Sequence, residues 1–201
     1  MIVATALSIA LLFPIQAIDG GTDGGVDAGV DAGTPVTALG PCKTVQTICF
    51  SPGNDCDVPL IAVLDSATKT LDIAIYSLNR IPIVDGILRA KARGVKVRMI
   101  VDVSQTGQPK EMVQLLRLKA ANIPIKRDSH AGIMHLKLIV ADSSTFSIGS
   151  FNFTDPAVQI NDENIFVWTC PRNAVIYTKH FNELWDSVTG FKTLEFKDGG
   201  L

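Results

Sequence analysis

Between Met134 and Phe153 the chain reads MHLKLIVADSSTFSIGSFNF, and this stretch gathers the groups able to do chemistry. Strand side chains alternate faces, so a strand over Met134–Ala141 puts His135 and Lys137 on one face, about 6.6 Å apart, with Leu136, Leu138 and Val140 turned into the core. A second strand from Phe146, reached through a turn at Asp142–Thr145, carries Ser150 and Asn152 in the same alternation. If the two strands pair, an imidazole, an ammonium, a hydroxyl and an amide converge beside Gly149, whose missing Cβ lets a ligand approach the backbone. An imidazole that attacks or moves a proton, with a fixed cation and neutral donors around it, suits displacement at phosphorus. No group of carboxylates stands nearby in the sequence to hold Mg²⁺, so Lys137 and Asn152 are expected to supply the charge stabilisation, with no metal or other cofactor.

The elements that must position these groups follow from periodicity. Helical spacing covers Pro59–Ala67, Ile83–Arg93 (closed by Gly94), Lys110–Asn122 and a final helix from Pro171. Period-two alternation marks strands at Leu71–Tyr76, Val95–Val101, Met134–Ala141, Phe146–Phe151 and Asn164–Thr169. Strands separated by helices of this length predict an α/β domain with a largely parallel or mixed sheet and helices on its faces.

The chain has 201 residues, 47% hydrophobic and 19% charged, with net charge −2; this excludes a disordered polymer and allows a sizeable core. Residues 1–17 carry no charge and resemble a secretory signal peptide, with a membrane anchor as the rival reading. Residues 18–41 hold Asp19, Asp23, Asp27 and Asp31 in Asp/Gly tetrapeptides without Lys or Arg, the composition of a flexible linker. Residues 42–201 form the folded domain and keep a small positive excess. Export to the periplasm or beyond would place Cys42, Cys49, Cys56 and Cys170 in an oxidising compartment, where one or two disulfides form; no C-x2-C pair supports zinc, and the pairing stays open.

The segment His135-Leu-Lys137-x4-Asp142-x6-Gly149-Ser150-x-Asn152 resembles the HKD motif of the phospholipase D superfamily, most closely its single-motif, Nuc-type endonucleases. Supporting stretches are Phe50-Ser51-Pro52, Asp72–Ser77, Arg93–Val97, Gly149–Thr154 and Asn161–Asn164. The resemblance implies the phospholipase D-like fold: a mixed, mostly parallel central sheet flanked by helices on both faces. It implies His135 as nucleophile forming a phosphohistidine, Lys137 and Asn152 on the non-bridging oxygens, and Ser150 as a nearby donor. Glu163 would accept from the imidazole and fix its tautomer. Asp142 belongs to the signature and would be structural or electrostatic support, or a plain turn residue.

The family's chemistry needs two histidines, one attacking and one protonating the leaving group. Neither His130 nor His180 begins an H-x-K, so the resemblance implies a homodimer pooling two half-sites, with Gly149–Phe153 near the contact. Arg89, Lys91, Arg93, Lys96 and Arg98 form a basic cluster that reads as a solvated face in preference to a polyanion groove. The Ser104–Pro109 loop, after a strand end, is placed to border a site, and Trp168 and Trp185 read as core. The expected function is a metal-independent phosphodiesterase, foremost a nonspecific nuclease on DNA or RNA. A phospholipase D acting on membrane lipid, or a silent phosphate-binding module, are the alternatives.

Overall fold

Val-, Ile- and Leu-rich runs alternate with amphipathic stretches, and in this computed structural model they become strands and helices in turn. Residues 41–43 and 46–196 are described; the expected signal segment, and all but the last residue of the expected linker, lie outside them. The elements are β1 (Thr47–Ser51), α1 (Asp57–Ser66), β2 (Thr70–Ile75), α2 (Ile81–Ala92), β3 (Lys96–Val101), α3 (Pro109–Ala120) and β4 (Ile125–Asp128). There follow β5 (Lys137–Ala141), β6 (Thr145–Gly149), α4 (Asp155–Gln159), β7 (Glu163–Thr169), α5 (Pro171–Asp186) and β8 (Phe191–Thr193).

One eight-stranded sheet runs in the order β1-β7-β6-β5-β2-β3-β4-β8. β2, β3 and β4 are parallel, with α2 and α3 as crossovers. The other neighbours are antiparallel, so the sheet is mixed as expected but mostly antiparallel, which corrects the expectation of mostly parallel strands. Connection length is the reason: parallel neighbours need a long crossover, and the Asp142–Ser144 turn is too short for one. Asp142 and Ser143 take φ of 54° and 47° there, the left-handed region that Asp and Ser visit in tight turns.

Helices cover both faces. α1–α4 pack on one side with Leu71, Ile73, Ile75, Ile139 and Ala141; α5 packs on the other with Ala74, Leu138, Val140 and Phe146. β5 is therefore buried on both sides, and the expected core set of Leu136, Leu138 and Val140 was half of the truth. Cys42 pairs with Cys170, at the N-cap of α5, and Cys49 on β1 with Cys56, at the N-cap of α1. Of the one or two disulfides expected, two form, and no cysteine among the described residues is free.

Candidate active site

β5 lies between β2 and β6, with Lys137 opposite Ile75; on the other side Ile139 faces Ser147, which brings Gly149 alongside the start of β5. His135 sits in the extended lead-in to β5 and is exposed, whereas Lys137 is only 7% exposed. Tyr76, the residue after β2, holds this pair. Its N–H donates to the Leu136 carbonyl at 3.1 Å, and its ring meets the His135 imidazole edge-on at 4.7 Å. The Lys137 ammonium stands 5.0 Å over the same ring, a cation–π contact, and donates to the His135 carbonyl at 3.0 Å.

After β6 the chain crosses the head of β5 and docks on the end of β2. Phe153 N–H donates to the Ser77 carbonyl at 3.0 Å, and the N–H groups of Asn79 and Arg80 donate to the Phe153 carbonyl. Phe151 and Phe153 are buried and anchor the crossing. Asn152 sits between them, and its Oδ1 is buried with no partner, a state that costs about 1–3 kcal/mol unless a ligand or water completes it. Ser150 Oγ accepts from Asn164 N–H at 3.1 Å, which leaves the hydroxyl hydrogen free to donate. Gly149 has φ of 153°, and a Cβ there would fall 2.1 Å from the Asn164 carbonyl oxygen. The glycine thus admits the backbone of β7, not a ligand as the sequence suggested.

Glu163 opens β7 opposite Ser51, and its Oε1 accepts from Asn161 Nδ2 at 3.2 Å. It makes no hydrogen bond to the imidazole; its charge acts on Lys137. Burial pushes the Lys137 ammonium below the usual lysine range, against the carboxylates of Glu163 and Asp102, which favour its charged form.

His135, Lys137, Ser150, Asn152 and Glu163 thus share one end of the sheet. Asp142 does not. It follows the far end of five-residue β5, about 16 Å away by strand rise. There its carboxylate accepts from Thr68 N–H and Oγ–H, Lys69 N–H and Thr70 N–H at 2.7–2.9 Å. Burial raises its pKa, but these donors, Thr70 first, outweigh that and hold it below the usual carboxylate range. Of the roles expected for it, structural or electrostatic support or a plain turn residue, this placement fits the structural one: it pins the entry of β2 to the β5–β6 turn.

His130 and His180 are exposed, the first against Phe191 and the second 3.5 Å from Glu183. The basic cluster is spent largely on structure: Arg89 pairs with Asp65, Arg93 with Asp65 and the carbonyls of Leu64 and Ala67, and Arg98 with buried Asp72. Trp185 stacks on Phe181, and Trp168 packs beside Phe146. Gln105, Gln108 and Pro109 of the Ser104–Pro109 loop, with Ser77, Asn79, Lys110 and Glu111, line a cavity of about 460 Å³ to which His135, Lys137, Ser150 and Asn152 do not contribute. Gln105 Nε2 donates to the Tyr76 hydroxyl at 2.9 Å.

Sequence reasoning assigned no role to Tyr76, Asp102 or Glu111. For Asp102 an acid directly after the apolar run Met99–Val101, where charge is out of place, was the available signal; Tyr76 and Glu111 carried none. Glu111 is 1% exposed; burial raises its pKa from 4.5 to about 7, against hydrogen bonds from Leu78 N–H and Ser77 Oγ–H.

Residues 60–185 match the family model described as cardiolipin synthase, PLD-like domain. The mitochondrial cardiolipin hydrolase of Chlamydomonas reinhardtii is 34% identical over 123 residues, 61% of this chain and 54% of that protein. The phospholipase D of Rickettsia conorii is 34% identical over 125 residues, 62% of each chain. The chain thus spans between half and two thirds of the length of these relatives. Nuc from Salmonella typhimurium, a phospholipase D family member, superposes with a TM-score of 0.70 at 28% identity, covering 75% of this chain and 98% of Nuc. NucT from Helicobacter pylori shares the fold with a TM-score of 0.65 at 22% identity, over 73% of this chain. Matched by the family model over more than half its length, on the fold of Nuc, this chain belongs to the phospholipase D superfamily as a Nuc-like member.

Proposed function

We propose that the protein is a metal-independent phosphodiesterase working through a phosphohistidine, with nucleic acid as its first substrate class. The observation that carries the reading is the convergence of His135, Lys137, Ser150 and Asn152 where β5 begins and β6 ends. A ring nitrogen of His135 bonds to phosphorus, and the ester P–O bond breaks with its electron pair on the leaving oxygen. Lys137, with the Ser150 hydroxyl and the Asn152 amide, donates to the oxygens on which charge builds. Water then attacks, its proton passing to the group that protonated the leaving oxygen; the P–N bond breaks with its electron pair on the ring nitrogen, and the imidazole is regenerated.

The leaving oxygen needs a proton, and His135 is spent as the nucleophile. The same histidine of a second copy supplies it, in a homodimer whose contact includes Gly149–Phe153. Exposed Phe50 and Ile160, close to Glu163, support burial of this end against a partner. The near-complete coverage of Nuc favours nucleic acid. A second reading, membrane phospholipid, is supported by Val103 and Ile133, exposed beside the site, and by the use of the basic cluster in ion pairs elsewhere.

Purified protein with EDTA, offered plasmid DNA, RNA and phospholipid vesicles in parallel, tests both. Cleavage of nucleic acid alone supports the first reading and release of phosphatidic acid the second; loss of all activity with EDTA removes the metal-independent mechanism. His135→Ala should lower turnover by about three orders of magnitude or more with the fold retained. Unchanged hydrolysis would refute the nucleophile, and no hydrolysis by the wild type would leave the phosphate-binding module. Export is also proposed, on the two disulfides and the apolar N-terminal segment. Mass spectrometry of the protein from producing cells would show whether the first residues are removed.

A further inference from the structure

We propose that Asp102, remote from the HKD signature, is a positioning residue: it fixes the main chain that carries His135. The inference rests on the phosphodiesterase reading for its kinetic consequences but not for the anchor itself.

Asp102 follows β3 and is fully buried. Its Oδ2 accepts from Met134 N–H at 2.8 Å, the peptide immediately before His135. Its Oδ1 accepts from Ser104 N–H at 2.9 Å and from the Ser104 hydroxyl. On the other side of His135, Tyr76 N–H holds the Leu136 carbonyl at 3.1 Å. His135 is therefore clamped between two main-chain anchors, although it lies outside any strand. The same segment is held at Ser129, whose N–H donates to the Gly190 carbonyl, and by the buried Met134 side chain; Asp102 is the side-chain acceptor on the peptide next to His135.

The charged and titratable groups facing Lys137 are Glu163 from β7, Asp102 from the end of β3, His135 beside it and the Tyr76 ring from the end of β2. Glu163 lies at the rim, where solvent or substrate screens it. Glu163 acts the more strongly on Lys137, and Asp102 adds to it from a buried position. An amide could not replace it: Asn has one acceptor oxygen where three donors converge on two.

The test uses the full chain with Asp102→Asn and Asp102→Glu. Asp102→Asn should lower kcat about 10- to 100-fold with KM within about threefold, and shift the alkaline limb of the pH–rate profile to lower pH. Asp102→Glu, which keeps charge but misplaces the anchor, should lose kcat while keeping the wild-type alkaline limb. A wild-type kcat in Asp102→Asn, or a loss of thermal stability with kcat per folded molecule unchanged, overturns the proposal. If neither variant folds, amide hydrogen exchange in the wild type is followed at Met134, whose N–H donates to Asp102. A Met134 N–H protected well beyond those of Ala131, Gly132 and Ile133 supports the anchor; one that exchanges as fast as they do overturns the proposal. Failure of the phosphodiesterase reading shows separately, as undiminished hydrolysis by His135→Ala, and leaves the Met134 exchange interpretable.

Discussion

The two ends of β5 treat a charged side chain in opposite ways. At one end Lys137 is buried with a single hydrogen bond, to the His135 carbonyl, and a Tyr76 ring beneath it. At the other, Asp142 has four donors from Thr68, Lys69 and Thr70. Both pKa values lie below the ordinary range, but the meanings differ. For a lysine the shift says that the charged form is short of partners; for an aspartate it says that the charged form has more than water would provide. Unspent hydrogen-bonding capacity marks the end that can receive a phosphate, and saturation marks the end that only has to hold.

The contrast can be broken in order of effect. Lys137→Met should lower kcat about 10²- to 10³-fold, the loss associated with one preorganised donor, read from initial rates at saturating substrate. It should leave the melting temperature unchanged or higher near neutral pH. A depressed lysine pKa penalises the folded state while both states are charged, and the penalty fades as pH rises through the folded value towards the unfolded one near 10.5. Thermal scans at pH 7 and pH 10 check the sign.

Asp142→Ala should do the reverse: about 2 kcal/mol of stability lost at pH 7 with kcat per folded molecule intact, since backbone N–H groups lose their acceptor. The stabilisation is complete above the unfolded value of 3.8 and vanishes as pH falls through the lower folded value. Wild type and variant should therefore converge in acid urea titrations.

Glu111→Gln is the intermediate case. Burial raises this carboxyl to about 7, so ionisation between 4.5 and about 7 costs the folded state stability as pH rises. The variant should lack that decline and gain about 1–2 kcal/mol relative to wild type between pH 4.5 and pH 8, measured by chemical denaturation. Arg89→Ala should change least. Its pair with Asp65 is half-exposed, worth at most about 1 kcal/mol and less in salt, and activity should not change.

What was legible lay in period and spacing. The alternation of Leu71, Ile73 and Ile75, and of Val97, Met99 and Val101, put β2 and β3 where they are, because a buried strand must be apolar along its length. His135-x-Lys137 and Ser150-x-Asn152 were readable as pairs by spacing, although β5 begins at Lys137 and β6 ends at Gly149, so that His135, Ser150 and Asn152 lie just outside the strands expected to carry them. β4 and β8 went unseen at four and three residues, too short for a pattern; β1, as long as β5, is an edge strand that leaves Ile48 and Phe50 exposed, and all three exist because neighbours supply their hydrogen bonds.

The sequence by itself determined which side chains can do the chemistry and that strands separated by helices would carry them, since residue type and periodicity are local properties. Only the tertiary structure decided that the sheet is mostly antiparallel, that Cys42 meets Cys170, that Gly149 makes room for β7, and that Asp142 meets the Thr70 N–H and Asp102 the Met134 N–H. Each of these depends on which distant backbone a residue meets, and the partners stand up to 128 positions apart in the chain.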